Sequence, residues 1–99
     1  MIEFVDGTLA SSSPTHLVVE VGGVGMMLSI PLSSFDTSVK IGDRVRMFTH
    51  LHVREDILAL YGFATVAERS LFRLLIGVSG IGPPMAQKIL SGMSLTDFA

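Results

Sequence analysis

The stretch Leu75-Ile-Gly-Val-Ser-Gly-Ile-Gly-Pro-Pro-Met-Ala86 carries the strongest chemical signal in the chain. Gly80 and Gly82 flank the aliphatic Ile81, so the backbone can turn tightly and leave amides unpaired where the next helix starts. Unpaired amides and the helix dipole hold a phosphate without any net positive charge. The same spacing also fits a plain helical hairpin with a glycine cap, and spacing alone leaves both readings open. It is not a dinucleotide-binding fingerprint, because no strand precedes it.

Three other groupings have chemistry to offer. Glu55-Asp56 falls at the expected tip of a hairpin. Neighbouring strand residues point to opposite faces, which argues against a carboxylate dyad for acid–base work. The pair is then either a solvated tip or an acidic probe that repels phosphates. His50-x-His52 puts two imidazoles on one strand face, the beginning of a metal site, but no third ligand follows at an evident spacing. Ser11-Ser12-Ser13-Pro14 reads as a loop and lacks the surroundings of a nucleophilic serine. His16 stands alone and carries no signal.

The whole chain must position these groups with 99 residues, enough for one ordinary domain or two very small ones. Hydrophobic residues make up 48% and charged residues 16%, which excludes a disordered chain. Seven Lys and Arg against nine Asp and Glu give −2, so this is no basic arm. There is no Cys, which excludes disulfide frameworks, thiolate zinc sites and cysteine nucleophiles. No apolar run approaches the length of a membrane span. Glu3 and Asp6 stand where a secretory signal would be positive, so the chain reads as soluble and intracellular.

Charge and hydrophobic period both change near residue 64. Residues 1–64 hold four basic and seven acidic side chains, hence −3; residues 65–99 hold three and two, hence +1. Before the change the apolar residues alternate, and after it they recur about every 3.6 residues. In the first part Gly7 interrupts the opening segment and suggests a bulge or sharp coil. His16–Val21 and Val24–Ile30 read as strands joined by a Gly22-Gly23 hairpin turn. Pro31–Phe35 is a connector with one helical turn, and Gly42-Asp43 makes another turn. Val45, Met47, Thr49, Leu51 and Val53 then face one way, with Arg44, Arg46, Phe48, His50 and His52 facing the other. Ile57–Phe63 is the last strand. About five short strands predict a small closed antiparallel barrel of OB-like form. The six methionines need only a packing explanation, mostly at core-like positions.

The second part predicts helices. Thr65-Val-Ala-Glu68 is a capping box. Ala67, Leu71, Leu74, Leu75 and Val78 form one apolar face behind it, and Phe72 with Ile76 forms a second strip. Pro83 suits the first position of a new helix through Met85, Ala86, Ile89 and Leu90, ending at Gly92. Seventeen apolar residues of 35 cannot sustain a core alone, so this part must pack on the barrel or on a partner. Ser94 and Asp97 read as the start of a third helix cut off by the chain end, which is expected of a fragment. The expected class is therefore α+β, with a barrel over 1–63 and a truncated helix-hairpin-helix segment over 64–99.

In this order, the barrel, the acidic hairpin and the Gly-x-Gly turn resemble the RuvA family of Holliday-junction branch-migration proteins. The resemblance rests on Val21-Gly-Gly-Val-Gly25, Phe48-Thr-His50, Val53-Arg-Glu-Asp56, Leu60-Tyr-Gly-Phe63, Glu68-Arg69 with Leu71-Phe72, Gly80-Ile-Gly-Pro83 and Ile89-Leu-Ser-Gly-Met93. It covers essentially the whole chain.

The resemblance implies a non-catalytic, cytoplasmic DNA-binding subunit of recombination and repair, without cofactor or metal. Its barrels assemble as a homotetramer, or two tetramers as an octamer, around a four-way junction. Glu55 and Asp56 would match the family's acidic pin. Arg54, Val78, Gly80, Ile81, Gly82 and Lys88 would contact DNA. The full-length protein works with the RuvB ATPase motor and the RuvC resolvase. The chain departs from the family in two respects. The second hairpin motif and the motor-binding domain are missing, and Pro84 stands where relatives commonly carry Lys. Pro84 removes a cation and an amide, and Lys88, one turn on, is expected to take over part of that contact. For this length of chain the alternatives are an assembly core with little DNA binding, a generic single-strand binder on the barrel face, or a metal-dependent hydrolase built on His50, His52 and Asp56.

Overall fold

The computed structural model describes residues 1–92, and the expected third-helix start at Ser94 and Asp97 lies outside the described residues. Strands β1 (Phe4–Ser12), β2 (His16–Val21) and β3 (Val24–Ser29) form a meander. Gly22 and Gly23 turn β2 into β3 with φ of 57° and 86°, the positive values that this tight hairpin turn requires. Gly7 does not break β1. A side chain there would run into the Glu20 carbonyl across the sheet, so the glycine answers a close backbone approach. The irregularity comes later, between Leu9 and Ser11.

A 3-10 turn (Leu32–Ser34) leads to β4 (Arg44–Arg54) and β5 (Ile57–Phe63). The barrel closes in the order β1-β2-β3-β5-β4. Every neighbouring pair is antiparallel except the seam of β3 with β5, a parallel contact at Ser29 and Tyr61. Val5, Leu9, Leu17, Val19, Leu28, Ile30 and Met47 fill the interior. On β4 the expected alternation holds at its middle, where Met47 and Thr49 are buried, and fades toward the tip, where Val53 is exposed. Thr49 is a buried hydroxyl that donates to the Ile2 carbonyl at 2.6 Å. Of the methionines among the described residues, only Met47 is in the core; Met26 packs partly, and Met1, Met27 and Met85 are exposed.

Helix α1 (Val66–Ile76) starts at Thr65, whose hydroxyl accepts from the Glu68 amide at 3.1 Å. Glu68 goes beyond the capping box. Its carboxylate accepts from the Ser33 and Ser34 hydroxyls at 2.7 and 2.8 Å, tying the helix start to the 3-10 turn. The two expected strips pack unevenly. Ala67, Leu74 and Val78 are exposed, whereas Phe72 is fully buried with Leu71, Leu75 and Ile76 beside it. Two apolar strips were available, and the barrel offers an aromatic socket to only one. Phe72 meets Phe63, Tyr61 and His50 with ring centroids 4.9, 5.2 and 5.5 Å away.

Helix α2 (Pro83–Gly92) adds Ala86 and Leu90 to this cluster, and the Ser91 hydroxyl accepts from the Leu32 amide at 2.8 Å. The helical hairpin thus packs on the barrel, as its short apolar inventory demands. Phe72→Ala should destabilise the chain by about 3–5 kcal/mol, while Leu74→Ala should stay within about 0.5 kcal/mol. Chemical denaturation of both variants checks which strip packs.

Candidate nucleic-acid interface

The register of β4 with β5 pairs Arg54 with Ile57, so Glu55 and Asp56 are the two residues of the turn itself. They are turn residues, not strand residues, and both are exposed at the tip. Neither carboxylate has a cation or hydrogen-bond donor among the described residues. Val53, Ile57 and Leu58 beside them are also exposed, so the end of the hairpin stands clear of the barrel. Two like charges there repel any other anion that approaches.

The glycine turn is built from the end of α1. Gly77 caps the helix, Val78 donates to the Leu75 carbonyl, and Ile81 donates to the Val78 carbonyl. Gly80 has φ of 87°, which a side chain would strain. Ile81 packs against the Phe72 cluster and anchors the turn from inside. Val78 is half exposed. Among the described residues the amides of Ser79, Gly80 and Gly82 have no acceptor. A Cβ on Gly82 would meet nothing nearer than 3.9 Å, so the fold itself does not demand glycine there. Pro83 is buried and Pro84 exposed, and neither offers an amide to the first turn of α2.

Lys88 is exposed one turn beyond Pro84, and both line an open groove between α2 and the start of β2, with Thr15, His16 and Gln87. It has no ion pair among the described residues. The serine run is structural: the Ser13 hydroxyl bridges the turn by accepting from the His16 amide.

His50 and His52 share the outer face of β4, as their spacing predicts, but each ring serves an arginine. His50 Nδ1 accepts from Arg73 Nε at 3.2 Å, and His52 Nε2 accepts from Arg54 Nε at 3.3 Å. A guanidinium against each lone pair competes with metal coordination, and no group of three metal-ligating side chains forms among the described residues. The sequence reading missed Arg69, Arg73 and Glu3. Arg69 donates to the Glu3 and Thr49 carbonyls and lies over the Phe48 ring, joining α1 to the chain start. The period of the helix carries no sign of that, because the partner lies 66 residues away.

A closed five-stranded barrel with a protruding acidic hairpin and a docked, glycine-turned helical hairpin defines the class: an OB-like barrel carrying a helix-hairpin-helix unit. No described helix is long and apolar enough to cross a membrane. A family profile, the RuvA N-terminal domain, matches residues 1–62. The chain is 48% identical over 94 residues to a protein of Chloroherpeton thalassium, covering 95% of this chain and 47% of that one. With a Leptothrix cholodnii protein it shares 48% over 99 residues, 100% of this chain and 52% of the other. With one from Methylococcus capsulatus it shares 49% over 98 residues, 99% and 49% respectively. Each of the three bears the name Holliday junction branch migration complex subunit RuvA. The chain belongs to the RuvA family and spans about half the length of these curated relatives.

Burial on Phe72, then the charge of Arg73, lowers the pKa of the His50 imidazole below its ordinary value. The unfolded chain then binds the proton more tightly than the fold does. Stability therefore falls as pH drops through the ordinary histidine range, about 6.5, toward the lowered value. Urea midpoints at pH 7.5 and 5.5 should differ less for His50→Gln than for the parent chain.

Proposed function

We propose that the chain is the junction-recognising part of a non-catalytic DNA-binding subunit, which holds four-way junctions open for branch migration. The observation that carries the reading is the opposition of two surfaces on one framework. An unpaired carboxylate pair stands on a protruding hairpin, and a turn with unpaired amides stands on the helical unit. A four-way crossover crowds phosphates at its centre, where carboxylates keep backbones apart. Along the arms, amides and cations hold the backbone. Glu55 and Asp56 take the first role. Gly80, Gly82 and Lys88 take the second with Arg54, while Val78 and Ile81 shape the turn. A Gly82 that the fold does not require suits a backbone that a phosphate approaches closely.

In the full-length protein the barrels (residues 1–63) assemble as a tetramer or octamer around the junction, and the helical unit (64–99) grips the arms. The RuvB motor supplies ATP hydrolysis, and RuvC resolves the junction. All of this belongs in the cytoplasm, where the chromosome lies. The single-strand reading has less support. Phe4 and Phe48 are the aromatics on the β1–β4 outer face, and Arg46 and Arg69 already cover their rings at 4.5 and 5.7 Å. Bases would have to displace them to stack.

Titration at low salt against a four-way junction and a linear duplex of matched sequence tests the reading, with preference for the junction expected. Equal affinity for both would overturn junction recognition by this part of the chain. Glu55→Gln/Asp56→Asn should bind the junction at least as tightly while changing the fluorescence of a base analogue at the crossover. Weaker binding by that double variant would count against a repulsive role. Lys88→Gln in the intact protein should lower the slope of log affinity against log salt by about 0.9 for each subunit engaged on the DNA, the share of one phosphate contact per subunit. An unchanged slope would remove Lys88 from the interface.

A further inference from the structure

All five arginines of the chain, Arg44, Arg46, Arg54, Arg69 and Arg73, gather on the outer face of β4 or on the side of α1 that lies against it. Their surroundings divide them. Arg44 and Arg46 both bond Asp6, at 2.8 and 3.0 Å, and hold its carboxyl below its usual range, first through the hydrogen bond from Arg46. Arg69 is largely buried and is occupied with the Glu3 and Thr49 carbonyls and the Glu3 carboxylate.

Arg73 and Arg54 are different. The hydrogen-bonded acceptor of each is an imidazole nitrogen, not a carboxylate, and the one carboxylate near Arg73, that of Glu3, stands 3.8 Å away and is shared with Arg69. An imidazole bonded to Nε orients a guanidinium without cancelling its charge. It leaves the outer Nη edge of Arg54 open and that of Arg73 facing only the distant, shared Glu3 carboxylate; this is the edge that meets a phosphate with two parallel bonds. Burial of His50 favours its neutral, accepting form.

The geometry points to a phosphate-binding track on the outer face of β4, in which His50 and His52 hold Arg73 and Arg54 toward the backbone of a DNA strand running to the acidic tip. His50, His52 and Arg54 are alternate residues on one strand, so they recur about every 6.6 Å along it and end beside Glu55. The track thus joins attraction to repulsion over a few residues. A strand held at Arg73 and Arg54 meets the carboxylates next and must turn away. This site is separate from the glycine turn and rests on the reading of the chain as a junction binder. Arg73 and Arg54 are the contacts, and His50 and His52 are positioning residues.

The test is the salt dependence of DNA binding by the intact protein, on both the junction and the linear duplex. Removing two phosphate contacts per subunit with Arg54→Gln/Arg73→Gln should lower the slope by about 1.8 for each subunit engaged on the DNA, while Lys40→Gln, off the track, should leave it unchanged. His50→Leu removes the acceptor without removing an arginine. It should weaken binding several-fold, and His50→Gln, which keeps an acceptor, should restore most of the loss. An unchanged slope in the double variant overturns the track, and so does an equal loss with Lys40→Gln. Sedimentation velocity on the same variants covers the remaining outcome. A changed assembly state with an unchanged slope per assembled protein would make this face a subunit contact and overturn the track. Junction preference by the parent chain is read separately: its absence sinks the proposed function, whereas an unaltered slope on whichever DNA is bound sinks only the track.

Discussion

Everything on the helical side of the molecule depends on Phe72 entering the socket made by Phe63, Tyr61 and His50. Two helices of eleven and ten residues cannot hold themselves in water. They gain their place because one aromatic ring is removed from solvent against three others, with Ala86 and Leu90 closing over it. Polar contacts then fix the angle. Glu68 reaches the serines of the 3-10 turn, Arg69 grips the chain start, and Ser91 meets the Leu32 amide. Apolar burial supplies the energy and these bonds supply the orientation. A hairpin of helices hinged on apolar contacts alone would present its glycine turn in many directions.

The same socket links the core to the surface. His50 belongs to the aromatic cluster on one side and to Arg73 on the other. Its ring is therefore both a wall of the core and the acceptor that steers a surface guanidinium. Phe48 has a comparable double position, with its face under Arg69. The outer face of β4 is for this reason less a bare sheet surface than a layer shared between barrel and helix.

Much of this was legible in the sequence, and for identifiable reasons. Gly22-Gly23, the 3-10 connector, the hairpin ending in Glu55-Asp56, the Thr65 cap and the glycine turn all depend on local backbone chemistry, which neighbouring residues reveal. The family motifs did the rest for the fold class. What stayed hidden depended on distant partners. Helical period shows that α1 has two apolar strips but not that Phe72, rather than Leu74, meets the barrel. Gly7 looks like a strand breaker until Glu20 is known to lie against it. His50-x-His52 suggests a metal until Arg73 and Arg54 arrive from another element and from the strand's own end. The capping box at Thr65 was plain, yet the second use of Glu68 needed Ser33 and Ser34 to come from 34 and 35 residues away.

The seam of the barrel has a consequence for how the chain is made. β3 finds its second neighbour only in β5, through one parallel pairing between Ser29 and Tyr61. A ribosome delivers the chain from its N-terminus, so the β2–β3 hairpin emerges well before residues 57–63 exist. During that interval β3 presents an unpaired edge, bearing the exposed Val24 and Met27 on its strand. β1 likewise waits for β4, which follows more than thirty residues later. The barrel therefore cannot close until β5 has left the ribosome, and Phe72 has no socket before then. Synthesis places the vulnerable interval in the first sixty residues and ends it almost at once, because α1 follows β5 after only two residues.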